Sequence, residues 1–154
     1  MKPTYGSLQY ILDTAVVGLA TQGFQRTEAG HSNACVYTVD VDGEVRHCAV
    51  GHLMSEDMCD HIMDVGVNSA SVNMLASDYT DFRYLFSAEL QESGVLMTFL
   101  RELQQVHDDA KNPKHMVRLI ELFAAAWSLD PTLLRTADAL LDQGLLSSAP
   151  CGGA

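Results

Sequence analysis

The chain has 154 residues, of which 47% are hydrophobic, a composition that predicts one globular domain rather than a disordered chain. Twenty acidic residues against nine basic ones give a net charge of −11, which disfavours direct binding to nucleic acids. No apolar run reaches the roughly 20 residues that span a bilayer, so we expect a cytoplasmic protein without membrane contact. In that compartment its four cysteines are expected to be free thiols.

The first predicted element is an amphipathic helix over residues 4–22. Apolar residues recur there at the three- and four-residue spacing of one buried helix face. Thr4 is the expected N-cap and Gly23 the expected stop.

Two short strands are predicted on either side of Asp42-Gly43, a dipeptide that suits the left-handed angles of a two-residue type I′ turn. Such a turn pairs residues whose numbers sum to 85, which places Cys35 opposite Val50. Strand alternation then puts Cys48 on the same face as Cys35. The two would be diagonal neighbours ~7 Å apart or less.

The rest of the chain is predicted to be helical, with boundaries marked by capping and breaking residues. Its apolar residues keep helical spacing over the C-terminal half. The expected segments are a helix from Ser55 to Gly66, short helical turns over 67–87, a helix over 95–110, and two helices that begin at Asn112-Pro113 and Asp130-Pro131, the last closed by Gly144.

These elements predict an α+β fold: a predominantly helical single domain packed around one β-hairpin. The domain is expected to span residues 1–144. Residues 145–154 are expected to form a flexible C-terminal tail.

Three of the four cysteines and four of the six histidines lie between residues 31 and 61, a density that raises the question of a zinc site. The spacing of Cys48 and His52 can present two ligands, and Cys35 could supply a third. The chain has no Cys-x2-Cys pair, however, and free cysteines are often small buried apolar residues. We therefore expect no cofactor, with zinc bound by Cys35, Cys48 and His52 as the alternative.

Cys48 is also the best candidate for a catalytic nucleophile. His52 or His107 could act as its base, and Asp108 could orient the base. His107 continues the apolar stripe of the 95–110 helix, so we expect it to point into the core, where a histidine is usually a hydrogen-bonded structural residue. Because no complete catalytic set is evident, Cys48, His107 and Asp108 are candidates only.

The segment from Asp40 to Asp81 contains nine acids and one base, a charge of −9 + 1 = −8. Such a segment either forms a solvated face that keeps the protein soluble or docks on the basic surface of a partner. The residues expected to contact a partner are Asp40, Asp42, Glu44, Glu56, Asp57, Asp60 and Asp64.

Several motifs occur in one order: C-x-Y at 35–37, a DG turn, CAVGHLM at 48–54, and FLRELQQVHDDA at 99–110 before FAAAWSLDPTLL. In this combination the sequence resembles a set of small uncharacterised proteins of tailed bacteriophages and prophages. The resemblance covers about residues 5–140, and it implies a phage origin and the bacterial host cytoplasm rather than any particular activity. The residues that it singles out are Cys35, Tyr37, Cys48, Gly51, Leu53, Leu100, Gln104, His107 and Asp108.

The resulting prediction is a small acidic phage-type accessory protein that binds a host or viral protein and is not a catalyst. Two alternatives stay open. One is a metal- or thiol-dependent activity centred on Cys35, Cys48, His52 and His107, and the other is a structural role in an assembly. The sequence predicts neither the partner's identity nor the oligomeric state.

Overall fold

The computed structural model describes residues 3–29 and 34–144, so the predicted tail at 145–154 lies outside the described residues. The described part is α+β and mostly helical, which confirms the predicted fold class. No helix in it is both long and apolar enough to cross a membrane. The elements in chain order are α1 (Leu8–Thr21), β1 (Glu28–Ala29), β2 (Ala34–Cys35), β3 (Thr38–Val41), β4 (Glu44–His47), a 3-10 turn (Gly51–Leu53), α2 (Glu56–Asp64), α3 (Val72–Asp78), α4 (Thr80–Arg83), α5 (Ala88–Glu92), α6 (Leu96–Asp109), α7 (Pro113–Ala126) and α8 (Thr132–Asp142).

Local capping signals set most helix boundaries as predicted. Ser55 opens α2 and Asn112 opens α7; in each case the side-chain oxygen accepts a hydrogen bond from the backbone N–H three residues later. Gly66 and Gly144, with φ of 78° and 72°, follow α2 and α8 in the left-handed conformation that ends many helices. The short helices expected over 67–87 are α3 and α4.

Helix α1 begins at Leu8, later than predicted, and its N-cap is Ser7 rather than Thr4. The backbone N–H groups of Thr4 and Tyr5 both donate to the carbonyl of Leu85, at 2.9 and 2.8 Å. The start of the chain is therefore held in an extended form by a distant loop. A local capping pattern does not reveal an interaction of this kind.

The hairpin β3–β4 has the predicted turn and register. Asp42 and Gly43 have φ of 54° and 87°, the left-handed values that a type I′ turn requires. All four residue pairs of the ladder, from Thr38–His47 to Val41–Glu44, have numbers that sum to 85.

The predicted pairing of Cys35 with Val50 is wrong. The ladder ends at His47, where the chain turns toward the 3-10 turn, and Cys35 instead pairs with Glu28 in the two-residue antiparallel sheet β1–β2. The turn type sets the register only as far as both strands continue. The point at which β4 ends depends on contacts outside the hairpin.

The helices form a core to which the hairpin is attached. Helix α1 packs against α8 and the 3-10 turn, while α6 packs against α3 and α7. Phe99 of α6 is fully buried, with its ring centroid 4.9 Å from that of Phe123 and 5.1 Å from that of Trp127. The predicted apolar stripe of α6 is thus buried, and it ends at His107.

Gly51 lies where two backbone segments approach closely. A Cβ atom at this position would lie 2.1 Å from the carbonyl oxygen of Tyr37, well inside van der Waals contact. That oxygen cannot move away freely, because it accepts a hydrogen bond from the N–H of Cys48 at 3.0 Å. The lack of room for a Cβ atom therefore explains the glycine in the CAVGHLM motif.

We expect Gly51→Ala to lower the free energy of unfolding by about 1–3 kcal/mol, because the added methyl group must push the Tyr37 carbonyl away from Cys48. Gly6→Ala is the matched control, since nothing lies within 4 Å of a Cβ at Gly6. Urea denaturation measures both variants. Equal effects would contradict the close approach.

Candidate functional site

Two side-chain amides hold the base of the hairpin at the Thr38–His47 pair. Asn68 accepts from the N–H of Thr38 at 3.1 Å and donates to its carbonyl at 2.8 Å. On the other edge, Gln22 accepts from the N–H of His47 at 3.1 Å and donates to its carbonyl at 2.7 Å. The N–H and C=O groups of both Thr38 and His47 point away from the opposite strand. Each side-chain amide therefore bonds them as a neighbouring strand would.

Gln22, at the end of α1, uses its full hydrogen-bonding capacity. Its Oε1 atom also bonds His52 Nε2 at 3.0 Å, and its Nε2 atom also donates to the Gln25 carbonyl at 3.1 Å. An amide offers two donors and two acceptor sites, and all four are occupied here. Since an amide oxygen only accepts, His52 carries its proton on Nε2. The sequence analysis missed Gln22, because no local pattern marks an amide that bonds a strand 25 residues away.

His107 is fully buried, as its place on the α6 stripe predicts. Its Nε2 atom lies 3.1 Å from the backbone nitrogen of Thr27, and its Nδ1 atom lies 3.0 Å from Oδ1 of Asp108. A backbone N–H can only donate, so Nε2 is the acceptor and Nδ1 carries the proton. The hydrogen bonds thus define a neutral histidine with one tautomer.

Gln104 connects this pair to the segment after β4. It donates to Oδ1 of Asp108 at 2.9 Å and accepts from the backbone N–H of Val50 at 3.4 Å. The Q-x-x-H-D part of the FLRELQQVHDDA motif therefore forms a continuous polar chain from Val50 through Gln104 and Asp108 to His107 and Thr27. Its contacts join α6 to Thr27, just before β1, and to Val50, just after β4.

The Cys48 thiol is fully buried, and its Sγ atom accepts a hydrogen bond from the N–H of Gly51 at 3.2 Å. Burial raises the pKa of this thiol far above its ordinary value. A nucleophile needs the thiolate, which such burial disfavours. Neither His52 nor His107 has a described hydrogen bond to Cys48, so the geometry gives no support to the predicted nucleophile–base pair.

Within the described residues, no three His, Cys, Asp or Glu side chains converge in a way that could hold a metal ion. Of the predicted zinc ligands, Cys48 bonds Gly51 and His52 bonds Gln22. The Cys35 side chain lies outside the described part of the chain. The zinc set Cys35, Cys48 and His52 therefore stays a prediction.

The structure does bring together a cysteine and a histidine that the sequence analysis did not pair. Cys59 Sγ of α2 lies 3.7 Å from Nδ1 of His47 at the end of β4. Burial raises the pKa of Cys59 to about 11, and the carboxylates of Asp60 and Glu56 add to the effect. The pair is thus a neutral thiol beside an imidazole, not an activated thiolate.

His47 and His52 are neighbours, with ring centroids 5.1 Å apart. Burial lowers the pKa of His52 to about 3, and the charges that His47 and His107 would carry lower it further. Burial also lowers the pKa of His47, against an opposing effect of Glu56. Both rings are therefore neutral at neutral pH.

The predicted partner-binding acids are exposed. They lie at the tip of the hairpin and on α2, and we call this group, together with Asp78 and Asp81, the acidic surface. None of its nine carboxylates forms an ion pair with a described residue; Lys114 instead pairs with Asp138 and Asp142 of α8. The nine members are Asp40, Asp42, Glu44, Glu56, Asp57, Asp60, Asp64, Asp78 and Asp81.

Comparison of the chain with protein-family models, curated proteins and solved structures finds no match. The resemblance to phage and prophage proteins therefore stays a prediction from the motifs. Cys48, Gly51, Gln104, His107 and Asp108 all take part in the close contacts described above, which gives these motif positions a structural reason.

We expect His107→Leu to lower the free energy of unfolding by about 1–3 kcal/mol, because the buried N–H of Thr27 loses its acceptor. His107→Gln is the matched variant, since its side-chain oxygen can replace Nε2 as that acceptor. Its loss should be smaller in the same urea titration. Equal losses in the two variants would contradict the assigned role of Nε2.

We expect the protein to lose stability as the pH falls from about 7 toward 4. His52 has a pKa of about 3 in the folded state and 6.5 as its reference value, so between these values the unfolded chain binds a proton that the folded chain does not. The contribution is complete above the unfolded pKa and declines below it, by at most about 1.4 kcal/mol per pH unit for one proton.

The His52→Gln variant tests this assignment, because it removes the titrating group and keeps a donor for Gln22. The free energy of unfolding, measured in urea across this pH range, should depend on pH less steeply in the variant. The same slope in both proteins would show that His52 is not the group responsible.

Proposed function

We propose that the protein is a small acidic accessory protein of phage type that acts by binding a host or viral protein, without catalysis. The observation that carries the proposal is the acidic surface, which has no internal cationic partner among the described residues. Unpaired carboxylates of one sign attract a basic partner and repel nucleic acid.

Apolar side chains are exposed next to these acids. This favours a protein-binding surface over a face that only contacts solvent. Val45 follows Glu44 at the hairpin tip and is 54% exposed, and Val65 follows Asp64 and is also 54% exposed. Protein interfaces combine apolar contact area with charged groups at the rim. We therefore infer that the partner surface is basic and has apolar residues within it.

The fixed position of the hairpin also supports a binding role. Gln22 and Asn68 bond the outer edges of the hairpin's base, so its tip is held in one orientation before a partner arrives. A surface that is already ordered loses less conformational entropy on binding. This favours recognition by a preformed surface over folding on contact.

The hydrogen bonds of the buried network around Cys48 and His107 argue for a structural role rather than catalysis. Cys48 is a buried thiol, and both nitrogens of His107 are bonded within the protein. A catalytic base needs reach to a substrate proton. We assign the network to the support of the hairpin.

The test removes two charges from the acidic surface with Asp60→Asn and Asp64→Asn. The control, Glu89→Gln with Glu92→Gln, removes the same charge from the exposed acids of α5. Cross-linking in bacterial cytoplasm identifies the partner, and Kd is then measured with the purified partner at several salt concentrations. We expect the α2 variant to bind about tenfold more weakly at low salt, and the control to stay within about twofold.

Equal binding by the two variants would contradict the proposal, as would a Kd that is independent of salt. Turnover of a substrate that is lost in Cys48→Ser would also contradict it, because the function would then belong to the buried network. Circular dichroism confirms that each variant is folded before binding is compared.

A further inference from the structure

A groove of about 780 Å³ lies between the start of the described chain, α2 and the segment that joins α4 to α5. Its apolar lining includes the buried Phe86 and the half-buried side chains of Met58 and Leu85. Its charged lining consists of Asp81 and Glu92, and no basic residue is among the described lining residues. The groove therefore combines an apolar wall with negative charge.

Hydrogen bonds fix the wall that Pro3 and Thr4 form on one side of the groove. The N–H groups of Thr4 and Tyr5 both donate to the carbonyl of Leu85. In the other direction, the N–H of Ser87 donates to the carbonyl of Tyr5 at 2.9 Å. The two segments are thus joined before any partner arrives, and a preformed groove loses little conformational entropy when it is filled.

Neither carboxylate of the groove is neutralised within the described part of the chain. The side chains of Asp81 and Glu92 form no ion pair or hydrogen bond with a described residue. Arg83, the base of α4, lines a neighbouring cavity with Phe82 and Gly94. Two unpaired carboxylates beside apolar surface attract a group that is itself both cationic and apolar.

Tyr84 adds an exposed aromatic ring to the lining of the groove. It is 63% exposed, more than any other large hydrophobic residue in the described part of the chain. It ends α4 and lies three residues after Asp81, a spacing that brings two side chains to the same side of a helical turn. A guanidinium group can stack on a ring and donate two parallel hydrogen bonds to a carboxylate. The pair Asp81 and Tyr84 therefore favours arginine over lysine.

We propose that this groove binds a segment of the partner protein in which an arginine stands beside a large apolar side chain. The apolar side chain packs against Phe86 and Met58, while the arginine stacks on Tyr84 and pairs with Asp81. Glu92 does not share the helical spacing with Tyr84 and contributes only to the overall negative charge of the groove. This inference rests on the proposed function, because it specifies where the basic partner binds and by which residue types.

Other occupants match the groove less well. A second copy of the chain would bring a further charge of −11 to it, and residues 145–154, outside the described part of the chain, include no basic residue. Met1 and Lys2 precede Pro3 and also lie outside the described residues. They combine an apolar side chain with a cation, so the experiment separates them from a partner segment.

Three blocked tetrapeptides test the groove without a purified partner: Arg-Leu-Phe-Arg, Lys-Leu-Phe-Lys and Arg-Ser-Ser-Arg. Isothermal titration calorimetry on the full chain at low salt measures each Kd. The first peptide should bind about tenfold more tightly than either of the others, since lysine lacks the planar guanidinium and serine lacks the apolar contact. NMR chemical-shift changes on the unaltered protein should include the backbone amides of Met58, Tyr84 and Ala88.

Ala88→Trp fills the groove without removing a charge, because Ala88 is exposed and lines it. It should weaken binding of Arg-Leu-Phe-Arg about tenfold, whereas Ala139→Trp, at an exposed position of α8 outside the groove, should stay within about twofold. Asp81→Asn should also weaken binding about tenfold. Glu92→Gln removes the same charge from α5 and should stay within about twofold.

Three results would overturn the proposal: no saturable binding of Arg-Leu-Phe-Arg up to about 10 mM, equally tight binding of either comparison peptide, or equal effects of the two alanine variants. Binding that becomes about tenfold tighter in Lys2→Gln would also overturn it, because the start of the chain itself would then fill the groove.

The purified partner separates this inference from the proposed function. Binding that weakens in the Asp60→Asn, Asp64→Asn variant but not in Ala88→Trp would overturn the groove as the binding site and leave the proposed function standing. Binding that is unchanged in both variants would contradict the proposed function as well.

Discussion

The amide of Gln22 is the interaction on which the rest of the structure depends. It lies at the end of α1, takes the place of a third strand beside His47, and sets the proton position of His52. An isolated two-stranded hairpin is at best marginally stable in water. Here the outward backbone groups at its base are bonded by Gln22 on one edge and Asn68 on the other, so the hairpin can pack against helices without leaving those groups unpaired.

The turn that follows β4 depends on this anchored base. Gly51 fits against the carbonyl of Tyr37, and the same turn brings the N–H of Val50 to Gln104 of α6. Through Gln104 the contact extends to Asp108 and His107, so strand, turn and helix share one polar network. Buried networks of this kind specify one packing arrangement when every member is bonded. Burial and hydrogen bonds give Cys48, His52 and His107 structural contacts in this region.

Much of the fold could be predicted because its signals are local. Asp42-Gly43 determines the hairpin register, and the helical stripe that ends at His107 predicts its burial. The amides of Gln22 and Asn68 could not be predicted, since each bonds a strand 25 or 30 residues away and no spacing rule describes such a contact. The candidate site could not be predicted for the same reason. Which side chains meet Cys48 and Val50 depends on where β4 ends, and that depends on the packing around Gly51.

The two-residue alternation of one short ladder puts neighbouring residues on opposite faces of the hairpin. Asp40 and Val45 lie on one face, while Val39, Glu44 and Arg46 lie on the other. At a net charge of −11, the long-range field of the protein attracts a basic partner and repels an anion.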